Sequence, residues 1–282
     1  MSDARAPDPG PAAAGPALPA DPAASYRRAN RRLWDVWTRL HLSGGYDVAG
    51  FRAGKSTLQE VEVAELGDVS GRSLLHLQCH FGLDTLSWAR RGAAVTGADF
   101  SPQAIATARA LSAETGTPGR FVCADLYALP GDPVLRDERF DVVFSSYGVL
   151  SWLPDLAGWA RVVAHFLAPG GAFHLVEFHP FVYLLDPETH DSAGNPLDHG
   201  YFYRPDPVRA VYRGSYAHAG DGELTTAYFW DHPLGEVVTA LCAAGLRLEF
   251  LNEHPRPAGE TYHRAYPDHL PFLYSLKATR PA

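Results

Sequence analysis

The chain contains no run of about 18 apolar residues, the length a bilayer-crossing helix needs. Its first residues also lack the charged start and apolar middle of a signal peptide. Both absences point to a soluble, cytoplasmic protein with no membrane partner. Long Lys/Arg runs are missing: 24 basic residues stand against 32 acidic ones, a formal net charge of -8. Without a basic run to neutralise phosphates, nucleic acid is disfavoured as a partner and a small molecule is favoured. The three cysteines, Cys79, Cys123 and Cys242, are odd in number, far apart and form no CxxC pair, which suits reduced thiols better than a disulfide framework. His76, Cys79 and His80 lie close together, but no second pair of ligands at zinc spacing accompanies them, and alternation along a strand turns His76 and Cys79 apart. No metal is expected.

What is present begins with a leader, "MSDARAPDPGPAAAGPALPADPAA" (1–24), too poor in bulky apolar residues to offset chain entropy and therefore expected to be disordered. From Ser25 to His41, Leu33, Trp34, Trp37 and Leu40 fall at helical spacing beside an arginine-rich face. "STLQEVEVAELGD" reopens a helix, with Ser56 or Thr57 as N-cap and Gly67 as the stop. Residues 25–70 thus read as an N-terminal helical cap.

The pattern then alternates. "RSLLHLQC", "AAVTGADF", "RFVCADL", "FDVVFSSYGVL" and "AFHLVEF" read as strands. Between them "GLDTLSWARRG", "SPQAIATARALSAETG" and "LPDLAGWARVVAHFLAPGG" read as helices. Connections too long for hairpins imply parallel crossovers, hence an α/β, doubly wound, Rossmann-like sheet. Residues 180–230, rich in aromatics and prolines, read as an inserted substrate cap containing an antiparallel hairpin. The helix "PLGEVVTALCAAG" and the strands "LRLEFLNEHP" and "PFLYSLKAT" close the domain, giving 71–282 a seven-stranded, mostly parallel sheet with an antiparallel closing strand.

In such a sheet the ligand lies beyond the carboxyl ends of the strands, where strand order reverses. Those ends carry Gln78 to Gly82, Asp99 and Phe100, Asp125 and Leu126, Ser145 to Tyr147, and Glu177 to His179. Asp99 stands 17 residues beyond Gly82, about the separation at which an acid reaches the ribose hydroxyls of a ligand held at the first turn. The competing reading of Asp99 is a simple cap for the helix that follows.

The line "LLHLQCHFGLDTLSWARRGAAVTGADFSPQAIATARA", followed by "FVCADLYALP", "RFDVVFSSYGVLSWLPD" and "LAPGGAFHLVEFHP", resembles the core of class I S-adenosylmethionine-dependent methyltransferases. The resemblance covers 56–179 and extends more loosely to the end. It implies S-adenosylmethionine as cofactor and S-adenosylhomocysteine as product. On its terms Gln78, Cys79 and Gly82 form the turn under methionine and ribose, Asp99 holds the ribose, and Phe100 and Leu126 flank adenine. Asp125 accepts from the adenine amine, Ser145 and Tyr147 face the methionine and methyl ends, and Tyr46 is the candidate for the methionine carboxylate. The chain departs from the family at the first turn, where His76 replaces an acid and Gln78 and His80 replace two of three glycines.

His179 is suitable as a general base if the acceptor must lose a proton; its alternative role is to turn the chain at Pro180. Tyr147 is the candidate for orienting the acceptor. Together these features suggest in-line methyl transfer to a small organic molecule by a monomer or homodimer. The alternatives are an NAD(P)-dependent oxidoreductase, weakened because "LQCHFGLD" lacks the glycines that admit a pyrophosphate, and a non-catalytic S-adenosylmethionine-binding protein.

Overall fold

A computed structural model describes residues 22–185, 190–217, 223–256 and 266–282. The expected leader lies outside the described residues except at its end: Pro22 to Ala24 already belong to the first helix, α1 (Pro22–Ser43). Two short helices follow, α2 (Val48–Arg52) and α3 (Glu60–Leu66). Helix α3 stops at Gly67 as expected, with the glycine at φ 69. Its start is a correction, because Gln59 rather than Ser56 or Thr57 is the N-cap. The Thr57 hydroxyl instead donates to Asp84, so a long-range partner removes it from local capping.

The alternating segment then builds β1 (Ser73–Leu77), α4 (Leu83–Arg90), β2 (Ala94–Asp99), α5 (Pro102–Thr115), β3 (Arg120–Cys123), β4 (Phe140–Ser146), α6 (Leu156–Phe166) and β5 (Leu167–Phe178). Helix α5 shows why the local reading worked: the Ser101 hydroxyl accepts from the Ala104 N–H, Pro102 occupies the first turn, and Gly116 ends it at φ 61. After the short α7 (Phe181–Leu184), β6 (Val208–Arg213) and β7 (Leu224–Phe229) pair antiparallel as the expected hairpin. Helix α8 (Leu234–Ala243), β8 (Arg247–His254) and β9 (Leu273–Thr279) complete the domain.

The seven strands run β3-β2-β1-β4-β5-β9-β8, with β9 antiparallel to both neighbours and the other pairings parallel. Strand order reverses at β1, flanked by β2 and β4, so ligand space is expected above their C-terminal ends. One face of the sheet packs Trp159, Val163 and Phe166 of α6 with Val237 and Leu241 of α8 against β-strand residues such as Leu75, Val143 and Phe173. At Gly97 a side chain would meet Cys79 Sγ and Phe121 at 2.8 Å; only a glycine lets β2 run this close to the first turn.

The N-terminal segment divides in its packing. Helix α1 lies on the hairpin: Asn30 donates to the Tyr228 carbonyl at 2.8 Å and accepts from its N–H at 2.9 Å, and Trp37 Nε1 donates to Gly214 O at 2.8 Å. Its apolar stripe, Leu33 and Trp37, is buried with Ala227 of β7. Helix α3 packs toward β5 instead.

Candidate active site

A cavity of about 610 Å³ opens above the C-terminal ends of β1, β2 and β4, within the range of small-molecule sites. Tyr46, Gln78, Cys79, Gly82, Asp99, Phe100, Asp125, Leu126 and Tyr147 all line it. The topology therefore gathers nine of the eleven residues singled out from the sequence at one place.

The first turn explains why glycines are usual there. Gln78 and His80 adopt the left-handed backbone, φ 57 and φ 49, as does Gly82 at φ 79. The chain keeps the turn at a conformational cost of about 1 kcal/mol or more per non-glycine residue. Side-chain straps hold it. Gln78 Nε2 donates to Val149 O at 2.9 Å, and His80 Nε2 shares a proton with His41 Nδ1 at 3.0 Å, whose Nε2 lies 3.1 Å from Ser215 Oγ. Burial holds His80 well below its ordinary pKa and so uncharged.

Asp99 ends β2 almost buried, accepting from the N–H groups of His80 and Ser101, both at 2.9 Å. Desolvation raises it to about 6 despite those bonds. The capping reading of Asp99 is corrected: Ser101 is the N-cap of α5, its hydroxyl accepting from Ala104 N–H, while Asp99 accepts from Ser101 N–H just before the helix and from His80 N–H of the first turn. Asp125 accepts from Tyr127 N and from Arg27 Nε of α1, each at 3.0 Å.

Two expectations are corrected in place. Ser145 is fully buried with its hydroxyl unpartnered and away from the cavity; strand alternation presents Ser146 to the lining instead. His179 does not line the cavity. The backbone beyond β5 turns its ring toward β8, where Nε2 lies 3.1 Å from Glu253 Oε1, while Nδ1 accepts from Phe181 N at 3.3 Å. Its neighbour Glu177 is a brace: the buried carboxylate accepts from the N–H groups of Gly148, Val149, Leu150 and Phe178, fixing the loop that carries Tyr147.

The structure adds groups the sequence did not single out. Tyr147, at φ 45, donates its hydroxyl to Glu62 of α3, a fully buried carboxylate that desolvation and nearby Asp84 push up to about 8. Asp84, in the first turn of α4, lines the cavity and accepts from Thr57 and, at 3.1 Å, from Ser146. Burial raises its pKa too. Asp84 stood inside a helix, where an acid in the first turn reads as a dipole partner; Glu62 had no local signal at all, since its partner Tyr147 lies 85 residues away. Trp34 and Trp152, with centroids 5.2 Å apart, and Tyr216, bonded to Tyr46 at 2.7 Å, supply aromatic walls. His76 is a satisfied core histidine, 2.8 Å from Thr85 Oγ1 and held down to about 3 by burial. Among the described residues no group of three or more His, Cys, Asp or Glu side chains is arranged to hold a metal.

The sheet order, with β9 antiparallel, is a Rossmann-like fold shared with solved S-adenosylmethionine-dependent methyltransferases. The comparisons agree with that fold: residues 74–171 match the model of the family described as Methyltransferase domain. It is similar to the Ubiquinone biosynthesis O-methyltransferase of Alkalilimnicola ehrlichii, 35% identical over 124 residues, covering 43% of this chain and 48% of the relative. The Malonyl-[acyl-carrier protein] O-methyltransferase of Pseudescherichia vulneris is 33% identical over 39% of this chain and 40% of its own. The chain thus spans about half the length, or less, of these curated relatives. In structure it is similar to an S-adenosylmethionine-dependent methyltransferase from Mesorhizobium loti (TM-score 0.51, 23% identity, 77% of this chain and 94% of the other). It is also similar to the glycopeptide N-methyltransferase MtfA complexed with sinefungin (TM-score 0.54, 19% identity, 79% and 85%).

Proposed function

We propose that the protein transfers a methyl group from S-adenosylmethionine to a small, partly planar organic acceptor. The observation that carries this reading is the cavity at the strand-order reversal, in which a nearly buried carboxylate, Asp99, faces ligand space beside the first turn. The residues present fit the cofactor: Asp99 would hold the ribose hydroxyls, Phe100 and Leu126 the adenine faces, Asp125 the exocyclic amine, and the Gln78–Gly82 turn with Tyr46 the methionine end. When bound, the cofactor supplies a sulfonium-activated methyl group.

The chain's own contribution is alignment, which accounts for much of the acceleration of an in-line displacement. Glu177 fixes the loop that places Tyr147 at the wall, where Tyr147 would orient the acceptor. Trp34, Trp152 and Tyr216 would stack on a planar acceptor and exclude water. An oxidoreductase reading needs backbone amides clear to approach a pyrophosphate, whereas Gln78 and His80 place side chains at that turn. Among the described residues no helix is long and apolar enough to cross a membrane.

Calorimetry tests the reading. S-adenosylhomocysteine is expected to bind and NADH to give no heat. Asp99→Asn is expected to weaken binding by about tenfold to a hundredfold, the worth of a charge-assisted hydrogen bond. Binding of NADH alone would overturn it.

A further inference from the structure

The first turn carries two buried polar atoms without partners. Gln78 and His80 both line the cavity, and each stands at a left-handed position that glycine adopts most easily. Gln78 Nε2 donates to Val149 O at 2.9 Å, which fixes the amide and leaves Oε1, buried and unbonded, as a pure acceptor. His80 Nε2 is committed to His41 Nδ1 at 3.0 Å, and His80 Nδ1 is likewise buried and unbonded. A buried polar atom left unpaired costs stability, so the two mark a place that a ligand completes. Being two residues apart, they belong to Cα atoms no more than about 8 Å from each other.

The polarity of His80 is set by its neighbours. His41 is fully buried in the last turn of α1, does not line the cavity, and places its Nε2 3.1 Å from Ser215 Oγ of the segment after β6. With one proton on each ring, the chain Ser215–His41–His80 has two arrangements. Where His41 Nε2–H donates to Ser215, His80 Nε2–H donates to His41 and His80 Nδ1 is a bare acceptor. Where the Ser215 hydroxyl donates to His41 Nε2, His41 Nδ1–H donates to His80 Nε2, and His80 Nδ1 carries an N–H. Neither arrangement adds charge, and burial keeps the His80 ring uncharged in both.

Resting on the function proposed above, we propose that Gln78 and His80 read the amino-acid end of the cofactor with their side chains: Gln78 Oε1 accepts from the α-ammonium, and His80 Nδ1–H, in the arrangement begun at Ser215, donates to the α-carboxylate. An ammonium only donates and a carboxylate only accepts, and both hang from one carbon, which matches one acceptor and one donor in a single turn. The rest of the lining favours this assignment. Among its described residues there is no lysine, and its one arginine, Arg27, is engaged with Asp125, so the carboxylate is met by neutral donors. Asp84 already accepts from the hydroxyls of Thr57 and Ser146, and Asp99 from two N–H groups, whereas Gln78 Oε1 has no donor. Tyr46, with its ring centroid 6.0 Å from that of His80 and its hydroxyl 2.7 Å from that of Tyr216, stands beside the carboxylate place. His41 and Ser215 are positioning residues, which act by ordering the proton on His80.

Three ligands separate the parts. S-adenosylhomocysteine carries the whole amino-acid group, its deaminated analogue keeps only the carboxylate, and methylthioadenosine lacks the group but keeps adenosine and the thioether. Each is titrated by calorimetry into the wild-type protein and into Gln78→Gly and His80→Gly, in which the left-handed turn is unstrained. Gln78→Gly is expected to weaken S-adenosylhomocysteine about tenfold to a hundredfold and to leave the other two unchanged. His80→Gly is expected to weaken both carboxylate ligands by a similar factor and methylthioadenosine not at all. His80→Asn, whose amide places an N–H where Nδ1 stands, should recover most of that loss. His41→Phe should weaken S-adenosylhomocysteine less than His80→Gly does, with methylthioadenosine untouched. In the wild type, nitrogen NMR shifts of the His80 and His41 rings should move to the Nδ1–H form on adding S-adenosylhomocysteine and not on adding methylthioadenosine. Glycine variants that bind S-adenosylhomocysteine as tightly as the wild type would show that the backbone alone holds the amino-acid group, and a loss shared equally by all three ligands would show a merely structural turn; either result overturns the proposal. If none of the three binds the wild-type protein, the methyltransferase reading itself fails.

Discussion

Replacing Glu62 by Gln should make the protein more stable at neutral pH, although the residue is fully buried and hydrogen-bonded. A carboxyl whose pKa stands at 4.5 in the open chain and about 8 in the folded one keeps its proton on folding across that interval. As the pH rises above 4.5 the unfolded chain releases this proton and the folded chain does not. The unfolded state then binds fewer protons, and the stability of the fold falls with pH. Each pH unit is worth about 1.4 kcal/mol per proton. At about pH 7 the accumulated cost is on the order of 3 kcal/mol, and it levels off above about pH 8.

Glutamine does not titrate, and its amide oxygen can still accept from Tyr147. Its amide N–H₂ takes the place of an oxygen with no partner, which adds a roughly constant cost of about 1 kcal/mol. The signature is therefore a difference in slope. Urea unfolding of both proteins between about pH 5 and pH 8 should show the wild type losing stability relative to Glu62→Gln as the pH climbs. Parallel curves would refute a buried, proton-holding Glu62.

Two further perturbations probe the scaffold. Gly82→Ala puts a Cβ 2.8 Å from Phe121 and 3.0 Å from Ala108 at φ 79, whereas Gly54, at φ 101, has nothing within 4 Å. Chemical denaturation should show Gly82→Ala losing about 2 to 3 kcal/mol and Gly54→Ala clearly less, and equal losses would contradict the packing argument. Trp37→Phe removes the 2.8 Å bond to Gly214 O while keeping most of the ring area. A loss of about 1 to 3 kcal/mol is expected, with faster amide exchange in β6 and β7; exchange confined to α1 would mean that the helix does not hold the hairpin.

The fold was legible because its signals are local. Apolar strand runs, glycine stops at Gly67, Gly92 and Gly116, and Pro102 in the first turn of α5 each act within a few residues. The seven strands and the antiparallel closing strand follow from them. The site was legible as far as strand ends determine it. Missing were the facts set by distant partners. Thr57 fails to cap α3 because Asp84 takes its hydroxyl, and Glu62 is a buried acid whose hydroxyl partner, Tyr147, lies 85 residues on. A one-residue phase error put Ser145 at the wall in place of Ser146, and the course of the chain past β5 carried His179 off to Glu253. The helix expected through the "LAPGG" stretch ends at Phe166, since Leu167 pairs with Phe140 and starts β5 before a register shift.

The non-glycine residues with positive φ are, among the described residues, Gln78, His80 and Tyr147, and all three line the cavity. Strain at this density persists only where the surroundings over-determine it. Each of the three is held by a side-chain bond to a different part of the chain. Gln78 reaches Val149 beyond β4, His80 reaches His41 of α1, and Tyr147 reaches Glu62 of α3. A glycine turn could relax without disturbing its neighbours. Here the turn cannot move unless α1 and the loop after β4 respond, because Gln78 and His80, which stand in place of glycine, are also the ties to those elements, and Tyr147 ties that loop in turn to α3. The departure from the family pattern at the first turn thus has a physical consequence: the floor of the cavity and the helices that cover it form one mechanically connected unit.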